Sequence, residues 1–353
     1  AAGWRVTPPA WRFDIQRECD LIEEVARVTG YENLPQHRPA MTLRMGAAPE
    51  GRIEADRFRQ ILIDRDYQEA ITYSFIDPVL QGMLYPEVQP ILLTNPIAAD
   101  MAAMRTSLWP GLLLAVLHNQ NRQQTRIRLF EIGRRFVSVL DGVREDTMLA
   151  GAITGSHLAK QWGEAERPVD FYDAKGDVQA LLAASGCQDH LRFRPVTHPA
   201  LHSGQSAEIL GQNNQSWGLI GTLHPGIQAK LGLDRPVVLF ELPLAVLSRA
   251  RIPVFKEISK YPAIRRDLSL TVGEQVPAQA ILDSIALVTG NLLVNLELFD
   301  EYRGEGIDSG RKSLTLGLTL QHSSRTLKEE EIEAVMTQVV STLRSDLGAQ
   351  LRQ

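Results

Sequence analysis

Cysteine is nearly absent. Cys19 and Cys187 are the only two in 353 residues, and they stand far apart. That excludes a disulfide framework and a cysteine-rich zinc site, and it leads us to expect a reducing, cytoplasmic compartment. Long apolar runs are lacking too: one of the longest, Leu108 to Leu117, is interrupted by Pro110 and Gly111, so no membrane contact is expected. Nor is there an excess of basic charge. With a formal net charge of −5, any RNA contact has to rest on a local patch or a shaped site. Internal repeats and low-complexity segments are missing as well. What remains is 44% hydrophobic and 22% charged, an ordinary globular composition in a chain too long for one core. Two or three domains are expected. The opening Ala1-Ala2-Gly3-Trp4 is neither an initiator Met nor a signal peptide, which suggests a fragment that starts inside the first domain of a longer polypeptide.

Carboxylates are present, and they cluster. Asp20, Glu23 and Glu24 have the spacing i, i+3, i+4, which on a helix from about Asp20 to Thr29 puts all three on one face. Asp14, in an extended segment just upstream, can fold back toward them. Clustered oxygens suit a hard cation such as Mg²⁺, but Mg²⁺ usually keeps waters and takes one or two carboxylates. Such a cluster makes most sense near the surface, shared with a partner. The alternative is structural: Asp20 and Glu23 also make a variant capping box, with Gly30 stopping the helix. Spacing alone leaves both readings open.

Further along, residues 1–40 are too short to make a domain alone; they end in an exit loop containing Pro35 and Pro39. From 41 to 250 strands and helices mix without strict alternation, predicting an α+β domain with a mainly antiparallel sheet. Its expected parts include an amphipathic helix over Arg52–Asp66, with Ile53, Phe58, Ile61 and Leu62 buried, and a strand from Glu69 to Phe75 ended by Asp77-Pro78. Strands over Arg128–Val139 and Thr147–Thr154 are joined at Asp141-Gly142. A helix covers Tyr172–Ser185, two strands flank Asn213-Asn214, and another runs from Val237 to Leu242. Residues 256–353 follow a βαββαβ order, which gives a ferredoxin-like fold; Thr326 and Glu329 form a capping box on its second helix.

The string Pro8-Pro9-Ala10-Trp11-Arg12-Phe13-Asp14-Ile15, with Gly30-Tyr31-Glu32-Asn33-Leu34-Pro35, resembles one domain of the bacterial phenylalanine–tRNA ligase beta-subunit family. In the middle region the strings that carry the resemblance are Leu93-Thr94-Asn95-Pro96, Met104-Arg105-Thr106-Ser107-Leu108, Leu129-Phe130-Glu131-Ile132-Gly133 and Gly221-Thr222-Leu223-His224-Pro225. The end is similar through Ser259-Lys260-Tyr261-Pro262 with Arg265-Arg266-Asp267-Leu268, Leu298-Phe299-Asp300-Glu301-Tyr302-Arg303-Gly304 and Gly310-Arg311-Lys312-Ser313. The resemblance implies three parts in the family's order. These are the end of a small helical or winged Mg²⁺-binding domain (1–40), a class II synthetase-like module (41–250) and a ferredoxin-fold anticodon-binding domain (256–353). It implies Mg²⁺ at Asp14, Asp20, Glu23 and Glu24, shared with an alpha subunit. ATP and phenylalanine would bind that alpha subunit in an alpha2-beta2 heterotetramer, and tRNA(Phe) would be the RNA partner. An editing domain and an OB-fold RNA-binding domain are expected upstream.

The class II module is expected to be inactive. A working site needs an Arg for the ATP α-phosphate in a Phe-Arg-x-Glu strand, where charge develops in the transition state, and a late Gly-x-Gly-x-x-x-Arg segment. Arg134 and Arg135 lack the partner Glu, and Leu239 to Val246 has neither Gly nor Arg. Other tempting groups read as structural. Gly304, Gly306 and Gly310 lie between strands, where a hairpin loop is expected rather than a nucleotide cradle. His198 and His202 fall beside Pro199 and Gly204 in an expected loop without a third metal ligand. Ser107 and Ser203 lack a nucleophile elbow. For RNA, Tyr302 flanked by Arg303 suits base stacking at a sheet edge, with Arg311 and Lys312 nearby. Tyr302 as plain sheet cover is the structural alternative. A second functional reading is a stand-alone nucleic-acid or protein interaction module derived from the ligase; the intact acidic cluster argues against it.

Overall fold

The computed structural model describes residues 3–37, 40–41, 46, 49–187, 191–211, 214–255 and 257–352. The expectations for Ala1, Ala2, Pro39, Asn213, Lys256 and Gln353 lie outside them. The chain divides into two units, Ala1–Pro49 and Glu50–Gln353.

In the first unit an extended segment turns at Pro9–Arg12 and enters helix α1, Glu18–Thr29. Gly30 ends the helix at φ 95°, its N–H donating to the Ala26 carbonyl at 2.9 Å, a conformation that glycine adopts without strain. No residue of α1 is buried, and Ile22, Val25 and Val28 are exposed. Burying a large apolar side chain contributes about 1.5–3 kcal/mol, and α1 draws little of that from its own unit.

The second unit opens with α2, Ala55–Ile63, whose Phe58 and Leu62 are fully buried. Two short strands follow, β1 at Gln68–Glu69 and β2 at Phe75–Ile76, then α3 at Pro78–Leu84, β3 at Ala103–Met104 and α4 at Trp109–Gln120. The long hairpin is β4, Ile127–Val139, and β5, Gly142–Thr154. Next come α5 at Phe171–Ala184, β6 at Arg192–Pro195, β7 at Leu201–Leu210 and β8 at Ser216–Leu223. Finally α6 spans Pro225–Leu231, β9 Val237–Pro243 and α7 Leu244–Leu247. The sheet order is β1-β4-β5-β9-β8-β7-β6, antiparallel except where β1 pairs parallel to β4. Phe130, Leu149, Val238 and Phe240 pack with α2 and α5 in one core, and Met148, Ala150, Val237 and Leu239 with α3 and α4 in the other. Helices on both sides explain why β9 is buried without alternation from Val237 to Leu242. Gly151 is required here, because a Cβ on it would overlap the Phe240 ring.

Several local expectations change. The strand expected over Glu69–Phe75 forms only at its two ends, because Thr72 is drawn to Glu131: Thr72 Oγ1 donates to Glu131 Oε2 at 2.7 Å. Asp77-Pro78 starts a helix instead of merely ending a strand, with the Asp77 carboxylate accepting from Val79 N at 2.8 Å. His224-Pro225 does the same for α6. In both, proline occupies the first helical turn, where its missing N–H costs nothing. His202 lies in β7, not in a loop.

The ferredoxin-like part runs β10 (Ile264–Gly273), α8 (Ala278–Thr289), β11 (Leu293–Tyr302), β12 (Arg311–Leu320), α9 (Glu329–Leu347) and β13 (Gln350–Leu351). Its antiparallel order is β11-β12-β10-β13, the expected βαββαβ fold. Leu268, Leu270, Val272, Leu314, Leu316 and Leu318 meet α8 and α9 in one core. Alternation therefore turns Arg265, Asp267, Ser269 and Thr271 to the opposite face. The expected Thr326–Glu329 box moves two residues on. Glu331 accepts the Lys328 N–H at 3.0 Å and both Arg325 guanidinium nitrogens at 2.6 Å, while Glu329 pairs with Arg266. Arg325 and the Lys328 amide together hold the Glu331 carboxyl down to about 2.

Candidate functional sites

The acids of the first unit are gathered by arginine. Arg12 Nε lies 3.0 Å from Asp14 Oδ1, and its Nη2 reaches Asp14 Oδ2 at 2.8 Å and Glu24 Oε1 at 2.7 Å. Arg27 Nη2 takes the second Glu24 oxygen at 2.6 Å. Hydrogen bonds from Arg12 and then Arg27 lower the Glu24 carboxyl to about 2, and Arg12 also lowers Asp14. Asp20 sits apart from that pair. Its Oδ2 accepts the N–H groups of Gln16 and Arg17 at 2.8 and 2.7 Å, which caps the start of α1 and lowers its pKa. The capping expectation thus holds for Asp20 from inside the helix, not with Glu23 as its partner. Glu23 makes no hydrogen bond or ion pair among the described residues. Carboxylate oxygens are the right donors for Mg²⁺, yet among the described residues no three His, Cys, Asp or Glu side chains are grouped to hold a metal. Arg12 stands where an ion between Asp14 and Glu24 would sit, so the arrangement does not fit Mg²⁺ as it stands.

On the seven-stranded sheet, the charged groups neutralise one another. Arg105 Nη1 donates to Glu131 Oε1 at 2.8 Å, and both side chains are buried. Arg134 and Arg135 reach across the hairpin to Glu145 and Asp146 at 2.6 and 3.0 Å. Glu241, itself buried on β9, accepts the Leu108 N–H at 2.7 Å and the Ser107 hydroxyl at 3.1 Å. It thereby serves the first turn of α4, and burial raises its carboxyl above the usual range. Ser107 is a structural donor in this setting. His198 packs edge-on to Tyr85 and Trp109, with ring centroids 5.1 and 5.7 Å away, and burial lowers its pKa.

In the ferredoxin-like part, Tyr302 ends β11 half-exposed opposite Ser313 of β12. Its hydroxyl donates to the Glu305 carbonyl at 3.3 Å. The guanidinium carbon of Arg352 lies 5.1 Å from the ring centre, within cation–π range. Arg303 is exposed nearby and pairs with Glu301 at 2.9 Å. The other two expected RNA contacts are turned elsewhere. Arg311 Nη2 donates to the Thr271 carbonyl at 2.7 Å and to that of Gly348 at 3.3 Å. Lys312 is cross-strand from core residue Val272 and is buried with it. Sequence reasoning missed Arg352, which the pairing of β13 with β10 brings to the sheet.

Residues 34–244 match the family model of the phenylalanyl tRNA synthetase beta chain CLM domain, residues 259–352 the ferredoxin-fold anticodon binding domain, and residues 1–31 the tRNA synthetase B5 domain. The phenylalanine–tRNA ligase beta subunit of Pseudomonas fluorescens Pf0-1 is 49% identical over 352 residues, covering 100% of this chain and 44% of its own length. That of Methylococcus capsulatus is 46% identical over 99% of this chain and 44% of its own. Among solved structures, a pyrrolysyl tRNA synthetase from Desulfitobacterium hafniense aligns with 54% of this chain and 63% of its own at a TM-score of 0.42 and 16% identity. The chain spans less than half the length of these beta-subunit relatives. With its CLM match covering more than half of its residues, the chain belongs to the phenylalanyl tRNA synthetase beta-chain family.

Proposed function

We propose that the protein carrying this chain is the beta subunit of a cytoplasmic phenylalanine–tRNA ligase (EC 6.1.1.20). It would support ATP-dependent attachment of phenylalanine to tRNA(Phe) in an alpha2-beta2 heterotetramer. The observation that carries the reading is the succession of B5, CLM and ferredoxin anticodon-binding matches along nearly the whole chain. ATP and phenylalanine belong to the alpha subunit. The class II-like module lends support without catalysis, a reading favoured by the pairing of Arg105, Arg134 and Arg135 with carboxylates of the same sheet. The ferredoxin-like domain contacts the anticodon through Tyr302 and Arg303. Arg311 and Lys312, held within the fold, shape that end of the sheet.

Asp14, Asp20, Glu23 and Glu24 are assigned to the alpha-subunit contact. Mg²⁺ is not built into that assignment, since Arg12 would first have to leave both carboxylates. The three domains are taken as 1–40, 41–250 and 256–353. Affinity purification of the full-length protein from its source tests the reading. A co-purifying second subunit and phenylalanine-dependent charging of tRNA are expected, while the isolated chain gives no ATP–pyrophosphate exchange. Exchange by the isolated chain would overturn the non-catalytic assignment, and a lone protein without charging activity would overturn the ligase assignment.

A further inference from the structure

Arg265 lies flat across the solvent-facing side of the ferredoxin-like sheet. Its Nε donates to Asp267 Oδ1 at 2.9 Å, Nη1 stands 3.7 Å from Glu297 Oε2, and the guanidinium carbon is 5.3 Å from the centre of the Phe299 ring. Gly317 of β12 lies beneath it. A Cβ at that position would come within 2.7 Å of Arg265 Nη2, so glycine allows the guanidinium to settle onto the strand. Phe299 falls at the register shift between Leu298 and Asp300 and is half-exposed, as is Arg265. Three residues farther along β11, about 10 Å away at strand rise, Tyr302 carries Arg352 in the same manner. Arg352 also donates to Ser313 Oγ at 3.3 Å. One face of the sheet therefore presents two aromatic rings, each joined to a guanidinium.

We infer that Arg265 and Phe299 form a second stacking platform, which takes an unpaired base next to the one on Tyr302 in the same single-stranded RNA segment. The inference rests on the anticodon reading above and extends it to residues outside that reading. Unstacked bases are held on aromatic faces and on arginine planes. Asp267 and Glu297 balance the charge of Arg265, so the pair recognises the face of a base more than a phosphate. Contacts with Asp267, Glu297 and Phe299, on the bed of Gly317, hold the guanidinium in place before RNA arrives, which limits the ordering cost of binding.

The test uses the assembled ligase and an unmodified tRNA(Phe) transcript, with Phe299→Ala, Phe299→Tyr and Tyr302→Ala compared by the KM for tRNA. Loss of a base–aromatic stack should raise KM about five-fold or more. Phe299→Ala should show that rise and Phe299→Tyr should reverse it, because the tyrosine keeps the π-face. A rise for Tyr302→Ala with none for Phe299→Ala would overturn the second platform and leave the anticodon reading standing. No rise for either folded variant would overturn both. A rise for Phe299→Ala that Phe299→Tyr fails to reverse would mark a shape role for Phe299 and also reject the platform.

Discussion

Arg105 and Glu131 form a 2.8 Å ion pair in which each side chain is only 3% exposed. The surroundings complete it: Arg105 Nε donates to the Arg134 carbonyl at 2.8 Å, and Thr72 Oγ1 donates to the second Glu131 oxygen at 2.7 Å. A buried pair adds little over well-packed apolar residues, but removing one member strands the other and costs about 3–5 kcal/mol. Arg105→Met should therefore destabilise the module by roughly that amount in urea unfolding, and a paired Glu131→Met should recover a good part of it. A cost below about 1 kcal/mol for the single change would mean that water reaches the pair.

Glu241 links stability to pH. Its carboxyl is raised above the ordinary value near 4.5, first by burial, against the opposing Leu108 amide. The folded state therefore keeps a proton at pH values where the unfolded chain has lost it, and this group's contribution shrinks as pH rises from about 4.5 through the raised pKa. Glu241→Gln should flatten that part of the stability–pH profile. Identical slopes in urea titrations of both proteins would show that Glu241 is ionised in the fold.

Glu24 runs the other way. With its carboxyl held at about 2 by Arg12 and Arg27, its contribution is present above the ordinary value near 4.5 and fades as pH falls toward about 2. Carbon NMR of the Glu24 carboxyl should give that low midpoint, and Arg12→Met should move it upward. The same variant frees Asp14 and one oxygen of Glu24 and should tighten Mn²⁺ binding, measured by paramagnetic resonance as a stand-in for Mg²⁺. Weaker Mn²⁺ binding would contradict the view that Arg12 holds the ion's place.

Elements with strong periodicity or firm turns were legible in the sequence. The β4–β5 hairpin follows from Asp141-Gly142, and the ferredoxin-like order from alternation in β10 and β12. What stayed hidden depends on contacts between distant residues. Thr72 leaves its strand for Glu131, 59 positions along the chain, and no local pattern announces that. Likewise Lys312 reads as a surface cation until its pairing with Val272 turns it into the core. The acids from Asp14 to Glu24 are visible as a cluster; the guanidinium between two of them is not, because Arg12 reaches Glu24 across 12 positions and no local spacing marks that pairing.

Tyr302 offers the most direct test of the account. Losing one base–aromatic stack removes about 1–3 kcal/mol. In ligase assembled from full-length subunits, Tyr302→Ala should therefore raise the KM for tRNA(Phe) roughly ten-fold or more. Tyr302→Phe should restore most of the affinity, since the hydroxyl makes only the 3.3 Å contact with the Glu305 carbonyl. A folded Tyr302→Ala ligase with the KM of the parent would contradict the anticodon contact and leave Tyr302 as a cover for the sheet.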